Sequence, residues 1–114
     1  MRVLLALCLI AAAALPARAH AFTAVNGTRL LGWCESDKAA DQSACMGYLT
    51  GVGDILNDQT IFQGRACLPP TTTSADLRNL IVLFIRANRN LAESASGANL
   101  AALAMIEAYP CKDT

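Results

Sequence analysis

The stretch ALAMIEAYPC, residues 102–111, has the pattern of an apolar helix that stops at Pro110 and places Cys111 just beyond the stop. Proline cannot continue a helix, because it lacks the backbone N–H and clashes with the preceding turn. A cysteine in this position lies at the end of the helix, where it can form a disulfide bond with another segment. The fold therefore depends on which cysteine Cys111 meets.

Residues 1–21, MRVLLALCLIAAAALPARAHA, have the layout of a secretory signal peptide: one early positive charge, an apolar run, a proline and then small residues. The small-x-small rule allows cleavage after Ala19 or Ala21, and we favour the first. The apolar run is shorter than the roughly 20 residues that a membrane span needs. We therefore expect a signal peptide over 1–19, one domain over 20–114, and export of the mature chain.

Removal of the leader changes the charge and the cysteine count. Seven basic and nine acidic residues remain from His20 onward, which gives a net charge of −2. A weakly acidic chain without a basic run has no electrostatic footprint for nucleic acid or anionic lipid. Cys8 leaves with the leader, and an even set of four cysteines in a small exported chain predicts two disulfides. Neither CxxC spacing nor a neighbouring histidine favours a metal site.

Apolar residues at three- and four-residue steps predict an all-α fold, a small disulfide-stapled four-helix bundle. The first helix, over about 25–34, is short. The second begins near Asp41, a plausible N-cap, and extends to about Asn57. Its buried face is predicted to comprise Cys45, Tyr48, Leu49, Val52, Ile55 and Leu56. Three glycines weaken this helix by about 1 kcal/mol each, a cost that we expect the close approach of another helix to offset: Gly47, Gly51 and Gly53.

The third helix follows the prolines of CLPPTTTSADL, residues 67–77, with Thr73 or Ser74 as its cap and Asp76 in its first turn. It ends around 88–90. Its buried stripe is predicted to comprise Leu77, Leu80, Ile81, Phe84 and Ile85. The fourth helix starts after 96–97 and is apolar nearly all the way round, which is typical of a central helix.

Helix length indicates how the cysteines pair. A second helix of about 17 residues is roughly 25 Å long, so its two ends cannot share a disulfide. The turn between the first two helices brings Cys34 near Cys45. In an up-down-up-down bundle the fourth helix returns to the end at which the third began, which brings Cys111 beside Cys67. The predicted bonds are Cys34–Cys45 and Cys67–Cys111.

The sequence lacks an obvious catalytic constellation. Nucleophilic hydrolysis needs a base beside a Ser, Cys or Thr, and the only histidine, His20, lies at the processing site. Asp54 and Asp58 are spaced i and i+4, but such a pair is far more often a solvated helix face. We assign no catalytic, cofactor-binding or metal-ligating residue and expect a binding protein, not an enzyme.

Two groups of side chains have both a functional and a structural interpretation. Arg78, Arg86 and Arg89 fall roughly on one side of the third helix and could bind an acidic partner, although a solvated exterior is the more common role. Trp33 and Tyr48 are most simply core or half-buried residues, although an exposed tryptophan makes a good interface anchor.

Three segments together resemble the Rap/Tai family of immunity proteins: CMGYLTGVGD at 45–54, CLPPTTTSADL at 67–77 and ALAMIEAYPC at 102–111. Members of this family are periplasmic helical domains that neutralise peptidoglycan amidases delivered by type VI secretion. The resemblance implies that the matched residues, together with Cys34, form the scaffold. They are Cys45, Gly47, Tyr48, Gly51, Asp54, Cys67, Pro69, Ala102, Leu103, Tyr109, Pro110 and Cys111.

The resemblance implies a stoichiometric blockade of the amidase active site, and also a homodimer. Family members usually carry a proline just after the third helix, where this chain has Asn88-Arg89-Asn90. We expect the loop from Asn88 to Gly97 to enter the amidase cleft, with Asn88, Arg89, Asn90 and Glu93 as contacts. The alternatives are a periplasmic helical chaperone, which the few and scattered charges disfavour, and a domain that serves in envelope assembly.

Overall fold

The computed structural model describes residues 22–57 and 64–112. The predicted leader, His20 and Asp58 lie outside these ranges. In the described part of the chain five helices form and no strand does: α1 (Gly27–Glu35), α2 (Ala39–Leu56), α3 (Ser74–Ala87), α4 (Arg89–Ala92) and α5 (Gly97–Ala108). Every pair among α1, α2, α3 and α5 is in contact, which confirms the predicted all-α four-helix bundle.

Side-chain caps fix the starts of three helices. Of the two caps that the sequence allowed for α3, the structure uses Thr73, whose hydroxyl accepts from the Asp76 N–H at 3.1 Å. The Asp76 carboxylate accepts in return from the Thr73 N–H at 2.8 Å, which completes a capping box. At α1 and α5 the capping side chains are Asn26 and Ser96. These local signals explain why the predicted boundaries lie within a few residues of the observed ones.

Helix α2 differs from the prediction at its start and on one side. It begins at Ala39, after Lys38, and not at Asp41. Asp41 lies in the first turn, where its carboxylate accepts a hydrogen bond from the Ser36 hydroxyl at 2.8 Å. Ile55, predicted to be buried, is 62% exposed. The rest of the predicted face is buried or half-buried.

The glycines of α2 do not all mark close approaches, contrary to expectation. A Cβ at Gly53 would make ordinary contacts at 3.9 Å with side chains of α3 and α5. A Cβ at Gly47 or Gly51 would meet no atom within 4 Å, so no packed helix offsets the cost of these two residues. The close approaches lie instead at Gly27 and Gly97, and at Gly64 outside the helices, where a Cβ would meet Ile106 of α5.

The structure joins Cys34 to Cys45 and Cys67 to Cys111. The first bond is fully buried between α1 and α2. The second is half-buried and fastens the segment after α5 to the segment after α2, beside a hydrogen bond from the Cys67 N–H to the Tyr109 carbonyl at 2.9 Å. On the loop-entropy model, sequence separations of 11 and 44 residues correspond to about 3 and about 4 kcal/mol of stabilisation.

Helix α5 lies at the centre of the bundle, as its composition predicted. It contacts α1, α2 and α3. Its buried residues are Gly97, Leu100, Ala101, Ala102, Ala104 and Met105. The small side chains among them let the neighbouring helices approach closely, while Leu103 stays 49% exposed. The centre of the fold is therefore built from an alanine-rich helix and the leucines and isoleucines that surround it.

Candidate functional site

The segment from Asn88 to Gly97 contains a helical turn, α4, where the sequence predicted an open loop. The Asn88 side-chain amide donates to the Phe84 carbonyl at 2.8 Å, so this residue closes the end of α3. Ala92 is 5% exposed and lies against Gly27. One side of the segment is thus packed onto the bundle, and the other is open to solvent.

Backbone hydrogen bonds fix this segment to the start of α1. The Gly27 N–H donates to the Ala95 carbonyl at 3.1 Å, and the Gly97 N–H donates to the Val25 carbonyl at 2.7 Å. A Cβ at Gly27 would lie 2.8 Å from the Ala92 carbonyl oxygen. This approach needs glycine, because no side chain fits between the two backbones.

The exposed side of α4 continues onto α1, and we call this combined surface the α1–α4 platform. It surrounds a groove of about 480 Å³. The groove is lined by Thr28, Leu31, Arg89, Asn90, Ala92 and Glu93. Three of the four contacts predicted from the sequence, Arg89, Asn90 and Glu93, are exposed on this platform. The fourth, Asn88, is half-buried at its edge.

Two of the three arginines singled out in the sequence bind α1. The Arg78 Nε donates to the Cys34 carbonyl at 2.6 Å and so satisfies a carbonyl at the C-terminus of α1. Arg86 donates twice to the Glu35 carboxylate, at 3.2 Å and 2.9 Å. This hydrogen bonding holds the pKa of Glu35 below its usual value. Of the three arginines, Arg89 is the one that lies on the platform.

Trp33 and Tyr48 form a half-buried aromatic pair between α1 and α2. Their ring centroids are 6.2 Å apart in an edge-to-face arrangement. The Arg29 guanidinium lies 5.2 Å from the Trp33 centroid, within range of a cation–π interaction. Burial raises the pKa of Tyr48, while a hydrogen bond with the backbone of Ala98 lowers it. The pair therefore connects α1, α2 and the start of α5.

Residues 22–57 and 64–112 contain no group of three or more His, Cys, Asp or Glu that could hold a metal ion. Within the same ranges, no helix combines the length and hydropathy of a membrane span. Asp54 is exposed, and the Asp58 that the sequence paired with it lies outside the described residues. We assign no chemistry to Asp54.

Comparison with known proteins places the chain in a family. A family model for Rap1a immunity proteins matches residues 26–111. The chain belongs to the Rap1a immunity protein family. The matched range includes all five helices and both disulfides, and it confirms the resemblance seen in the sequence. No curated protein and no solved structure matches the chain significantly.

Several motif positions of this Rap1a family member join segments of the fold. The four cysteines form the two disulfides, and Tyr48 packs on Trp33. Tyr109 accepts the hydrogen bond from the Cys67 N–H, and Pro110 pairs with Ala66 in an isolated bridge. These contacts close the bundle at both ends of α5.

Other motif positions are exposed, so packing among the described residues does not explain them. They are Gly47, Gly51, Asp54, Pro69 and Leu103. The interpretation of Gly47 and Gly51 as helix-packing glycines is wrong for the described residues, since none of their atoms lies within 4 Å of a Cβ at either position. Asp54 and Pro69 line a groove of about 250 Å³ between the end of α2 and the start of α3.

The contribution of α1 to the platform was not predicted from the sequence. Thr28 and Leu31 are three residues apart and therefore lie on one face of α1, where both line the groove. The sequence offered one signal for this contact, Asn26-Gly27. Asn26 is the cap of the helix, and the glycine after it occupies the first helical position, where glycine has no capping role. Its packing partner, Ala92, is distant in the sequence, so no local pattern could reveal the contact.

Proposed function

We propose that this protein is a periplasmic immunity protein that binds a type VI secretion peptidoglycan amidase and blocks its active site. The observation that carries the proposal is the family match over residues 26–111. The amidase as target is supported by the three motif segments in which the chain resembles Rap/Tai proteins. The protein acts by obstruction and has no enzymatic activity of its own.

We place the amidase-binding surface on the α1–α4 platform. Arg89, Asn90 and Glu93 are exposed there and supply two opposite charges and an amide. Asn88 acts at the edge by ending α3 before the turn. Because backbone hydrogen bonds and the buried Ala92 already hold α4 in place, binding costs little ordering of the main chain.

A reconstitution experiment tests the proposed function. The mature protein, residues 20–114, is mixed with a peptidoglycan amidase encoded beside its gene, and cleavage of purified sacculi is followed. We expect a stoichiometric complex and loss of cleavage. No complex and no inhibition with any such enzyme would contradict the proposal. Suppressed aggregation of unrelated unfolded proteins, without amidase binding, would favour the chaperone alternative.

A matched pair of charge reversals tests the placement of the surface. Arg89→Glu is expected to weaken amidase binding about tenfold, which equals 1.4 kcal/mol. Lys112→Glu makes the same change in net charge at an exposed site beyond the far end of α5 and should bind as the native chain does. Equal affinities of the two variants would remove the platform from the interface.

The location and the oligomeric state are proposals with direct tests. We expect the exported protein to begin at His20 or Phe22 when its N-terminus is sequenced, and a periplasmic form that begins at Met1 would contradict the predicted cleavage.

The homodimer implied by the family resemblance predicts twice the chain mass in sedimentation velocity of the mature protein. A monomer at micromolar concentration would contradict it.

A further inference from the structure

Helix α1 carries half of the platform but contributes few large side chains to the core. It has nine residues, and an isolated helix of this length is not stable in water. Its buried residues are Gly27, Leu30 and Cys34. Leu30 is the one large aliphatic side chain that α1 buries fully, and Leu31 and Trp33 pack against the core while half-buried. With so little fully buried apolar surface, the position of α1 also depends on its bonded contacts.

Gly27 and Leu30 pack on α5, whereas the disulfide, hydrogen bonds and ion pair that join α1 to α2 and α3 lie at its C-terminal end. Cys34 is bonded there to Cys45 of α2. Arg78 of α3 binds the Cys34 carbonyl, and Arg86 of α3 binds Glu35. The disulfide is the only covalent contact among them, and it is fully buried.

The N-terminal end of α1 is the part that holds the platform. Gly27 donates its N–H to Ala95 and lies against Ala92 of α4. The bond to Cys45 therefore holds α1 in place, and α1 in turn holds α4 in place. A displacement of α1 would separate Thr28 and Leu31 from the α4 side of the groove.

The other disulfide is far from the platform. Helix α5 begins at Gly97, beside α4, and Cys111 follows its opposite end. The 12 residues of α5 span about 17 Å. Opening the Cys67–Cys111 bond would release the segment after α5 without touching α1 or α4.

We propose that the Cys34–Cys45 disulfide is a positioning element for partner binding: it holds α1, and with it the α1–α4 platform, in the binding conformation. The Cys67–Cys111 disulfide contributes stability alone. The inference rests on the proposed function for the identity of the partner, a peptidoglycan amidase. Without the first bond α1 is out of this position most of the time, while α2, α3 and α5 stay packed around Leu49, Ile81 and Leu100.

Two double variants form a matched test. Cys34→Ala/Cys45→Ala and Cys67→Ala/Cys111→Ala each remove one disulfide. The second opens the longer loop, 44 against 11 residues, and the first truncates two fully buried side chains, so we expect similar losses of thermal stability. Affinity for the amidase is measured by calorimetry at a temperature at which both variants are folded.

The two variants should differ in affinity although their stabilities are similar. We expect binding about tenfold or more weaker for Cys34→Ala/Cys45→Ala, because a platform formed a tenth of the time raises the apparent dissociation constant tenfold. Cys67→Ala/Cys111→Ala should bind within about twofold of the native chain on the same argument. Equal weakening in both variants would overturn the inference.

Amide hydrogen exchange provides a readout that needs no amidase. In Cys34→Ala/Cys45→Ala we expect residues 26–35 and 88–97 to lose protection while α2, α3 and α5 keep it. Unchanged protection of 26–35, or loss of protection along the whole chain, would overturn the inference. If the native chain binds no amidase the proposed function fails, and the exchange pattern still decides whether the disulfide positions the platform.

Discussion

Gly27 and Gly32 lie in the same short helix but have opposite surroundings. A Cβ at Gly27 would meet the Ala92 backbone at 2.8 Å and 3.0 Å, whereas a Cβ at Gly32 would meet nothing within 4 Å. We expect Gly27→Ala to lower the free energy of unfolding by about 1–3 kcal/mol, because the backbone of α4 cannot yield as a side chain can. Gly32→Ala should raise it by up to about 1 kcal/mol. Urea unfolding of both variants checks this, and a Gly27→Ala variant as stable as the native chain would contradict the close approach.

Glu35 makes stability depend on pH with a defined sign. The hydrogen bond from Arg86 lowers the pKa of Glu35 below its usual 4.5, so the folded state favours the carboxylate more than the unfolded state does. The stabilisation is complete above 4.5 and is lost as the pH falls through the lowered value. It is small, because both side chains are partly exposed.

A variant isolates this pH dependence. We expect the melting temperature of Glu35→Gln to lie below that of the native chain at pH 7 and the two to converge as the pH falls below 4.5. Arg86→Gln should give the same profile, since it removes the other partner of the pair. A difference that stays constant across this range would show that Glu35 acts through something other than its charge.

Among the helices, α3 has the most complete N-terminal cap. The Thr73 hydroxyl and the Asp76 carboxylate each accept a backbone N–H of the other residue. We expect Thr73→Ala to cost about 1 kcal/mol of stability, because the N–H of Asp76 loses its partner. Thr71→Ala, at an exposed turn position two residues earlier, should change stability by less than about 0.5 kcal/mol. Thermal unfolding compares the two, and equal effects would mean that the cap does not stabilise the helix.

Substitution of the exposed glycines of α2 is expected to raise the stability of the protein, whereas Thr73→Ala is expected to lower it. Gly47 and Gly51 have open space where a Cβ would stand, so they carry the entropic cost of glycine in a helix without a packing gain. We expect Gly47→Ala and Gly51→Ala each to raise the free energy of unfolding by up to about 1 kcal/mol. Denaturant midpoints of the single and double variants check this. A loss of stability would mean that another chain, such as a second copy, packs on this face.

A comparison of the helices shows which of their features can be predicted from the sequence and which cannot. The starts of α3 and α5 were predictable because their N-caps, Thr73 and Ser96, form hydrogen bonds within the first turn. Cysteine pairing was predictable because helix length fixes which ends can meet. Helix α4 was not, since four residues form a turn there only because Ala92 packs on Gly27. Ile55 fits the period of the buried face, but among the described residues its side chain is 62% exposed.

The candidate site was predictable on one side only. Arg89, Asn90 and Glu93 were singled out because they lie in the segment where the chain departs from the proline of the family, and the structure shows them exposed together. Thr28 and Leu31 reach the same groove through a contact between segments distant in the sequence. A single sequence gives no signal for such a contact, because hydrophobic periodicity and helix caps depend only on residues that are close to one another along the chain.

At the scale of the whole molecule, many of the core side chains are small. The buried apolar residues include five alanines and the pair Cys34 and Cys45, and no aromatic ring is fully buried in the described part of the chain. Small side chains bury less apolar area and so contribute less to folding. In a domain of this size the disulfides therefore carry a large share of the net stability, which is typically 5–15 kcal/mol.

The two disulfides should differ in their resistance to reduction. A thiolate must reach a sulfur atom to open a disulfide, and Cys34 and Cys45 are both 0% exposed, whereas Cys67 and Cys111 are half-buried. We expect dithiothreitol under native conditions to open Cys67–Cys111 first. The Cys34–Cys45 bond should open only through local or global unfolding, at a rate that does not rise with reductant concentration once opening is limiting.

Timed alkylation and peptide mass mapping would follow both bonds in one reaction. Label should appear on Cys67 and Cys111 in species that still keep Cys34–Cys45 intact, and circular dichroism of those species should remain helical. The same reaction in denaturant serves as the control, because both bonds are accessible in the unfolded chain and should be labelled at similar rates. Simultaneous labelling of all four cysteines under native conditions would mean that reduction passes through global unfolding, and that burial does not distinguish the two bonds.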